Sequence, residues 1–314
     1  MTVAAPVQII DNAAWAAAAP RMSVLTPFFR YDPCQLLTFL DLEASQLPGG
    51  VEIVVLDDGS GDEGLASRVA AVTEAMKAPA EFVKLVFNEG RAKCRNRLAA
   101  RARGRHLLFL DADMLPDSSS FLGRYLRLIG AADPPVVVGG ISLQQAPQER
   151  HYALHRLLTV RSDCLPAAAR SAAPEKYVFT SNLLIRRDVF LPDSFDAGFA
   201  GWGWEDIEWG MRISRHWPIL HVDNTASHLG LDTPQRLIAK YRESAANFGR
   251  IAAAHPSAVA CYPSYRAARL LRRVPLRVLW RPLLAAIVLT PLMPLAARGL
   301  ALRLYRASLY ADVI

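Results

Sequence analysis

HLLFLDAD, residues 106–113, decides how the rest of the chain is read. Its apolar run, Leu107–Leu110, is too continuous for a strand with one wet face and too short for a buried helix. It reads as a strand covered on both sides. The run stops at two carboxylates, Asp111 and Asp113, one residue apart. Alternation puts both on the same side just past the strand, so both can reach one site.

Upstream the same pattern repeats. MSVLTPFF (22–29), VEIVVLDDGS (51–60) and EFVKLVF (81–87) read as strands. Helical spacing fills the gaps: CQLLTFLDLEASQL (34–47), ending at Pro48-Gly49-Gly50, a helix near 62–77, and the basic RAKCRNRLAARARG (91–104). Apolar strands alternating with helices imply an α/β fold, a mainly parallel sheet with helices on both faces. Such sheets bind ligands at the carboxyl ends of their strands. Three ends carry polar signals, Asp57-Asp58-Gly59-Ser60, Asn88-Glu89-Gly90 and Asp111-Ala112-Asp113, and should crowd one edge. The second half is less regular. PPVVVGGISL (134–143) and YVFTSNLLIRR (177–187) read as strands around a mainly helical 147–170. A helix runs from GWGWED to about His216, strand and loop fill 218–230, and a helix covers 233–254.

The chain has 314 residues, 52% hydrophobic, enough for a full core in one large domain or two modest ones. At 21% charged it is not a disordered chain. Its net charge of +7 is unevenly spread: residues 262–314 hold nine Arg, no Lys and one acid, Asp312, so residues 1–261 are close to neutral. The basic balance belongs to the C-terminal segment and does not indicate a nucleic-acid partner. Four separated cysteines form no CxxC pair, which fits a reducing compartment. Residues 1–21 are Ala-rich without a basic start and read as a frayed leader, not a signal peptide.

Each polar cluster suggests a chemistry. Two carboxylates beside a hard divalent ion make a partial oxygen site, which Mg²⁺ or Mn²⁺ completes with substrate phosphates. Asp57 and Asp58 suit base N–H or ribose hydroxyls, although a turn with a helix cap at Ser60 or Asp62 explains them too. In NEGRAKCRNR (88–97), cations and helix N-terminal amides suit a diphosphate. Helical spacing cannot aim Arg91, Lys93, Arg95 and Arg97 at one ligand, so one or two should matter. In GWGWEDIEW (201–209), Gly201 and Gly203 permit a tight turn. Glu205 and Asp206 follow in the first helical turn, where the dipole favours carboxylates and keeps Asp206 ionised, as a general base needs. Trp202 and Trp204 offer flat faces to sugar C–H groups, while Trp209 and Ile213 read as core. Of seven histidines, His228 is favoured to complete a metal shell with Asp113.

In this order, the motifs resemble family 2 glycosyltransferases with the GT-A fold over roughly residues 22–230. DDGS, then N-x-G-x-x-x-x-R-N from Asn88 to Asn96, then the DxD at 111–113 carry the resemblance. GWGWED is similar to the GWGxED segment of the branch that transfers galactose or N-acetylgalactosamine. The resemblance implies a UDP-sugar donor and a Mn²⁺ or Mg²⁺ ion. It places Thr26, Pro27, Asp57, Asp58, Asn88, Arg91, Lys93, Arg95, Asp111 and Ala112 at the donor, with Thr26 and Asp58 on uridine. Asp113 and His228 would hold the metal, Asp206 would deprotonate the acceptor, and Glu205 would orient it. Trp202, Gly203 and Trp204 would flank the acceptor, a glycan or lipid-linked glycan. Two positions depart from the family pattern. Trp204 stands where Gly is usual, and SHLGLD (227–232) lacks a second His.

The resulting division is a leader (1–21), a GT-A domain (22–256, split at 115/116 into nucleotide-sugar and acceptor halves) and a basic amphipathic helical tail (257–314). In the tail, 282–297 run without charge but are broken by Pro291 and Pro294. A spanning helix needs about 20 apolar residues, so a helix lying in the interface is expected. Anionic lipid at the inner face of the cell membrane would attract the arginines of a cytoplasmic protein. The alternative is a helical pair packed on the domain or on a second copy of the chain. Rival functions are a sugar-phosphate nucleotidyltransferase and a membrane-surface scaffold with a decayed site. TPFFRYDP stands where the former has a Gly-rich loop, and intact Asp113, Glu205 and Asp206 argue against decay. No GxGxxG follows a strand, which argues against a dinucleotide dehydrogenase.

Overall fold

The structure is a computed structural model that describes residues 8–47 and 49–314. The first half runs β1 (Gln8–Asp11), β2 (Met22–Phe28), α1 (Cys34–Ala44), β3 (Val51–Asp57), α2 (Glu63–Ala75), β4 (Ala80–Lys84), α3 (Arg91–Arg101), β5 (His106–Leu110), β6 (Met114–Pro116) and α4 (Phe121–Ala132). There follow β7 (Val136–Val138), β8 (Ile141–Ser142), α5 (Ala153–Ser162), α6 (Ala167–Arg170), β9 (Asn182–Arg186), α7 (Arg187–Phe190), α8 (Glu205–Ile213), β10 (Ile219–His221) and β11 (Ala226–His228). The chain ends in helices α9 (Pro234–Ala254), α10 (Pro256–Ala260), α11 (Pro263–Arg272), α12 (Arg277–Leu289) and α13 (Leu295–Tyr310).

Eight strands form one sheet in the order β1-β4-β3-β2-β5-β9-β7-β10. Its centre, β4 to β5, is parallel, and β9 enters antiparallel between β5 and β7. Every residue of β3 is buried, as the apolar run Ile53–Leu56 requires, and the buried Glu52 is answered by Arg103 at 2.7 Å. One face of the sheet packs Val24, Ile53 and Val55 against Leu37 of α1, Val69 of α2 and Leu122 of α4. The other packs Leu25, Val54 and Phe109 against Leu98 of α3 and Trp209 of α8. Register aligns Phe28 with Asp57 and Asp57 with Lys84, so the ends of β2, β3 and β4 share one edge. A second sheet, β6-β11-β8, stands at that edge and brings His228 of β11 opposite Met114 of β6.

Several expectations are corrected. Residues 8–11, read as part of a frayed leader, form strand β1 against β4. Asn12 pins this segment: its amide donates to the carbonyls of Met76 (2.8 Å) and Ala78 (2.7 Å), and its oxygen accepts from the Ala80 N–H at 3.1 Å. Residues 1–7 of that leader, and Pro48 in the expected helix stop, lie outside the described residues. Residues 134–143 are two short strands in different sheets, separated at Gly139-Gly140. Of 177–187 only Asn182–Arg186 is strand, because Phe179, Thr180 and Ser181 turn to line a cleft.

Residues 257–314 pack on the domain, the alternative considered for this segment. Tyr262 and Tyr310 share an apolar cluster with Phe199, Met211 and Phe248. Leu302 and Tyr305 of α13 join Leu154 of α5 and Leu237 of α9 in another. The chain breaks between α12 and α13 around Pro291 and Pro294, as proline requires. Beside this packed helix, Leu276, Leu279, Trp280, Leu283 and Leu292 stay exposed, Leu292 at 95%. Among the described residues, no helix is long and apolar enough to cross a membrane.

Candidate active site

Two cavities open at the strand-end edge, of about 810 and 320 Å³. Arg91, Asp111, Asp113, Trp202, Asp232 and Lys240 line both, so they meet there. Pro27, Asp58, Asn88 and Ala112 face the larger cavity; Gly203, Trp204, Glu205, Asp206 and His228 face the smaller.

At the larger cavity, the expected nucleotide residues divide. The Asp58 carboxylate accepts from the backbone N–H of Glu89 (2.8 Å) and Gly90 (3.1 Å), and the Asn88 amide donates to the Asp58 carbonyl at 3.1 Å. Asp58 therefore ties the end of β3 to the loop before α3. Burial pushes its carboxyl up to about 6, against the pull of those two hydrogen bonds. Asp57 accepts from the Ser60 N–H at 2.8 Å, closing the turn after β3. Thr26 is wholly buried inside the sheet, its hydroxyl without a partner among the described residues, and it faces neither cavity. Lys93 points to solvent away from both cavities, which corrects its expected place at the donor. Arg97 is engaged bidentately by Glu89 at 2.7 and 3.0 Å. Arg91, in the first turn of α3, reaches both cavities and makes no ion pair with the described residues.

Arg95 lies beneath the site. It is 2% exposed and donates to Asp111 at 2.6 Å, and its other terminal nitrogen is 3.5 Å from Glu205. Burial would lower its pKa, but Asp111 and Glu205 outweigh that and raise it. A buried cation between two acids persists only because both answer it. Arg95 thus ties the DxD turn to the start of α8, and Glu205, 3% exposed, is spent on this clamp.

Asp113 and His228 come together as expected: Oδ2 to Nε2 is 3.3 Å. Burial alone would raise the Asp113 carboxyl; the imidazole beside it overrides this and holds it down at about 2. The strand pair β6–β11 supplies the proximity, and the Leu229 N–H donates to the Asp113 carbonyl at 2.8 Å. Gly230 packs so closely that a Cβ there would overlap the Asp113 carboxylate. His155 of α5 stands edge-on to His228, ring centroids 5.6 Å apart, where the sequence showed no second histidine. Its Nδ1 accepts from the Asp232 N–H at 2.7 Å, and burial pushes its pKa down to about 4. Among the described residues no group of three His, Cys, Asp or Glu could hold a metal ion alone.

The turn carrying Asp206 is strained. Gly201 and Gly203 have φ of 75° and 84°, and Trp204 follows at 79°. A left-handed conformation costs a non-glycine residue about 1–2 kcal/mol. The Trp204 indole offsets that cost. Its N–H donates to the Tyr310 hydroxyl at 3.1 Å, and its ring lies 5.0 Å from Phe248 and 6.0 Å from Tyr310. From α9, the Asn247 amide donates to the carbonyls of Ala200 and Gly203, both at 2.9 Å. Trp204 therefore anchors the turn to α13, while Trp202, beside Tyr241, keeps its place between the cavities.

Among the described residues, Asp206 accepts only from its neighbour's N–H, Ile207 at 2.8 Å. Burial first, and Glu205 next, push its carboxyl up to about 7. The helix terminus was expected to keep it fully ionised. That dipole is worth about 0.3–1 kcal/mol, less than the 1.4 kcal/mol of a single tenfold change in acidity, so burial wins.

Residues 23–190 match the family described as Glycosyl transferase family 2. The chain belongs to this family. The matched region of this family 2 chain runs from β2 through α7 and stops short of Asp206, His228 and α9 to α13. A curated relative, the validoxylamine A glucosyltransferase of Streptomyces hygroscopicus subsp. limoneus, is 28% identical over 269 residues, which cover 76% of this chain and 57% of that protein. The chain thus spans little more than half of that relative's length. Among solved structures, S. aureus TarS 1–349 aligns over 93% of this chain and 90% of its own, with 17% identity and a TM-score of 0.52. The mannosyltransferase PcManGT of Pyrobaculum calidifontis, solved with GDP-Man and Mn2+, aligns over 96% and 90%, with 15% identity and a TM-score of 0.55. These likenesses identify the architecture as the GT-A fold.

Lys240, Tyr241, His155, Arg306 and Tyr310 face the smaller cavity without any motif having marked them. They sit in ordinary amphipathic helices, α5, α9 and α13, and only the packing of those helices assembles them.

Proposed function

We propose that this protein is an inverting glycosyltransferase that moves a hexose or N-acetylhexosamine from a nucleotide diphosphate sugar to a hydroxyl of a glycan or lipid-linked glycan. The observation that carries the reading is the placement of Asp206. It lies in the smaller cavity, which opens onto the larger one at the Asp111 and Asp113 carboxylates. A base on one side and a diphosphate site on the other are what attack opposite the leaving group needs.

The nucleotide sugar would occupy the larger cavity, over Pro27, Asp58 and Asn88. Arg91 and the N-terminal amides of α3 suit its diphosphate. Asp113 and His228 would hold a Mn²⁺ or Mg²⁺ ion, whose charge would neutralise the departing nucleotide. Their donor set fits: an ionised carboxylate and an imidazole 3.3 Å apart, with phosphate oxygens left to complete the shell. Asp111, held by Arg95, faces ribose or metal. Asp206 takes the acceptor proton as that oxygen attacks the anomeric carbon. Its pKa near 7 matches a base working near neutral pH. Glu205 offsets the buried charge of Arg95 and raises Asp206, so it acts through these residues. GWGWED supports a Gal, GalNAc or Glc type of donor sugar, and UDP is the expected carrier.

Contact with a membrane surface is part of the reading. The exposed Leu276, Leu279, Trp280, Leu283 and Leu292 accompany exposed Arg266, Arg269 and Arg273, which suits an anionic lipid interface at the cytoplasmic face.

Calorimetric titration with UDP, and with GDP for comparison, with and without Mn²⁺, tests the donor site. Metal-dependent UDP binding that D113A loses is expected. A preference for GDP would overturn the UDP assignment and keep the mechanism. Absence of binding by either nucleotide would overturn the function.

A further inference from the structure

Helix α13 lies outside the region that matches the family, yet it walls the cavity that holds Asp206. Arg306 of this helix projects into it. Its Cζ is 5.2 Å from the ring centre of Tyr241 and 6.0 Å from that of Tyr310. Among the described residues no carboxylate comes within ion-pair distance of this guanidinium. Asp163, just past α5, faces the same cavity; among the described residues it has no ion pair, and burial raises its carboxyl against the pull of Ser162 and of the more distant charges of His228 and Arg306.

The other charges facing this cavity are answered. Arg95 holds Asp111 and Glu205, His228 holds Asp113, and Lys240 holds Asp232. His155 is spent on the Asp232 N–H. Arg91 is shared with the donor cavity, and Asp206 is the base. Arg306 and Asp163 remain without a direct ion pair among the described residues; each feels the other's charge across the cavity, and Tyr241 accepts part of the guanidinium's donation. An anionic ligand group would answer Arg306 and oppose Asp163; a cationic one would do the reverse. Sugar hydroxyls answer both, accepting from the guanidinium and donating to the carboxylate. Trp202 and Tyr241 add aromatic faces, and about 320 Å³ is within the range of small-molecule sites.

We propose that α13 supplies part of an acceptor subsite, in which Arg306 and Asp163 together hold the hydroxyls of a neutral sugar-like ring. The proposal rests on the glycosyltransferase reading and deepens it, by placing acceptor choice in the C-terminal helix. The Trp204–Tyr310 hydrogen bond joins this subsite to the turn that carries Asp206.

Trp202 and Trp204 in the cavity provide the readout. The full chain, with UDP and Mn²⁺ present, is titrated with neutral methyl hexosides and maltose, and with a hexuronate and a hexose 6-phosphate as charged counterparts. Tryptophan emission is followed. Saturable binding of at least one neutral ring, tighter than its charged counterparts, is expected. R306M and D163N should each weaken it at least tenfold, and R306K, which keeps the charge without the planar fork, by less. UDP affinity, measured alongside, should stay unchanged in all three and reports that they are folded. Tighter binding of the charged sugars, no saturable ring, or unchanged affinity in folded R306M and D163N would overturn the subsite. Loss of UDP binding in the unsubstituted chain would instead sink the donor reading, and the sugar titration would still be legible by itself.

Discussion

Asp57-Asp58 and Glu205-Asp206 are the same local pattern, two adjacent acids where a turn meets a helix or strand end, and they finish in different states. Both acids of the first pair are bound by backbone N–H groups of Ser60, Glu89 and Gly90. In the second, Arg95 takes Glu205, while Asp206 keeps a carboxylate facing the cavity and a pKa near 7. The first pair closes turns at the strand-end edge; in the second, one acid is tied to Arg95 and the other faces the cavity. Adjacent acids repel, and the tertiary partners of each decide which one stays reactive.

The sharpest test of this contrast is D206N. General-base catalysis contributes about 10²–10⁴-fold, so kcat should fall by that order with nucleotide affinity intact. The activity of the unsubstituted chain should rise with pH through about 7, as Asp206 loses its proton. Stability should show the opposite sign. A carboxyl raised from 3.8 to about 7 on folding costs increasing stability as pH rises across that interval. D206N removes the cost, so its melting temperature should exceed the native one at pH 8 and the gain should vanish near pH 4. Loss of nucleotide binding in D206N would place Asp206 with the first pair, as a shaping residue.

R95M comes next. Removing one partner of a buried ion cluster leaves Asp111 and Glu205 unanswered, at a cost of about 3–5 kcal/mol in denaturant unfolding. A loss below about 1 kcal/mol would show that Glu205 is not held as the contrast requires. W204G is smaller. Truncating a fully buried Trp costs about 3–5 kcal/mol, so this partly buried one costs less, and relief of the left-handed conformation returns about 1–2, leaving a net loss of about 1–2 kcal/mol by thermal melting. Net stabilisation would mean that the turn does not depend on α13. K93A is the smallest: with its side chain in solvent, stability should stay within about 0.5 kcal/mol and nucleotide affinity should be unchanged.

Much of the strand-end edge was legible in the sequence. Apolar runs before DDGS, NEG and DAD, the second interrupted by Lys84, mark buried strands, and parallel strands deliver their polar ends to one edge, so Asp58, Asn88, Asp111 and Asp113 were placed at that edge by pattern. Thr26 and Lys93 were misplaced because a motif names positions along a chain and not side-chain directions. The fate of residues 8–11 depends on the free edge of β4, which their own composition does not reveal.

The sequence by itself determined the α/β alternation and the polar strand ends, because these follow from local periodicity and from residue chemistry at fixed spacings; that Asp113 meets His228 was only suggested by the family resemblance. Only the tertiary structure decided that Arg95 is a clamp, that Trp204 is an anchor, that Asp206 sits near pH 7, and that the basic tail folds back to line the smaller cavity. Those outcomes depend on burial and on contacts between residues more than 100 positions apart, such as Trp204 and Tyr310, 106 apart. Desolvation and charge pairing are set by neighbours in space, which no local pattern encodes.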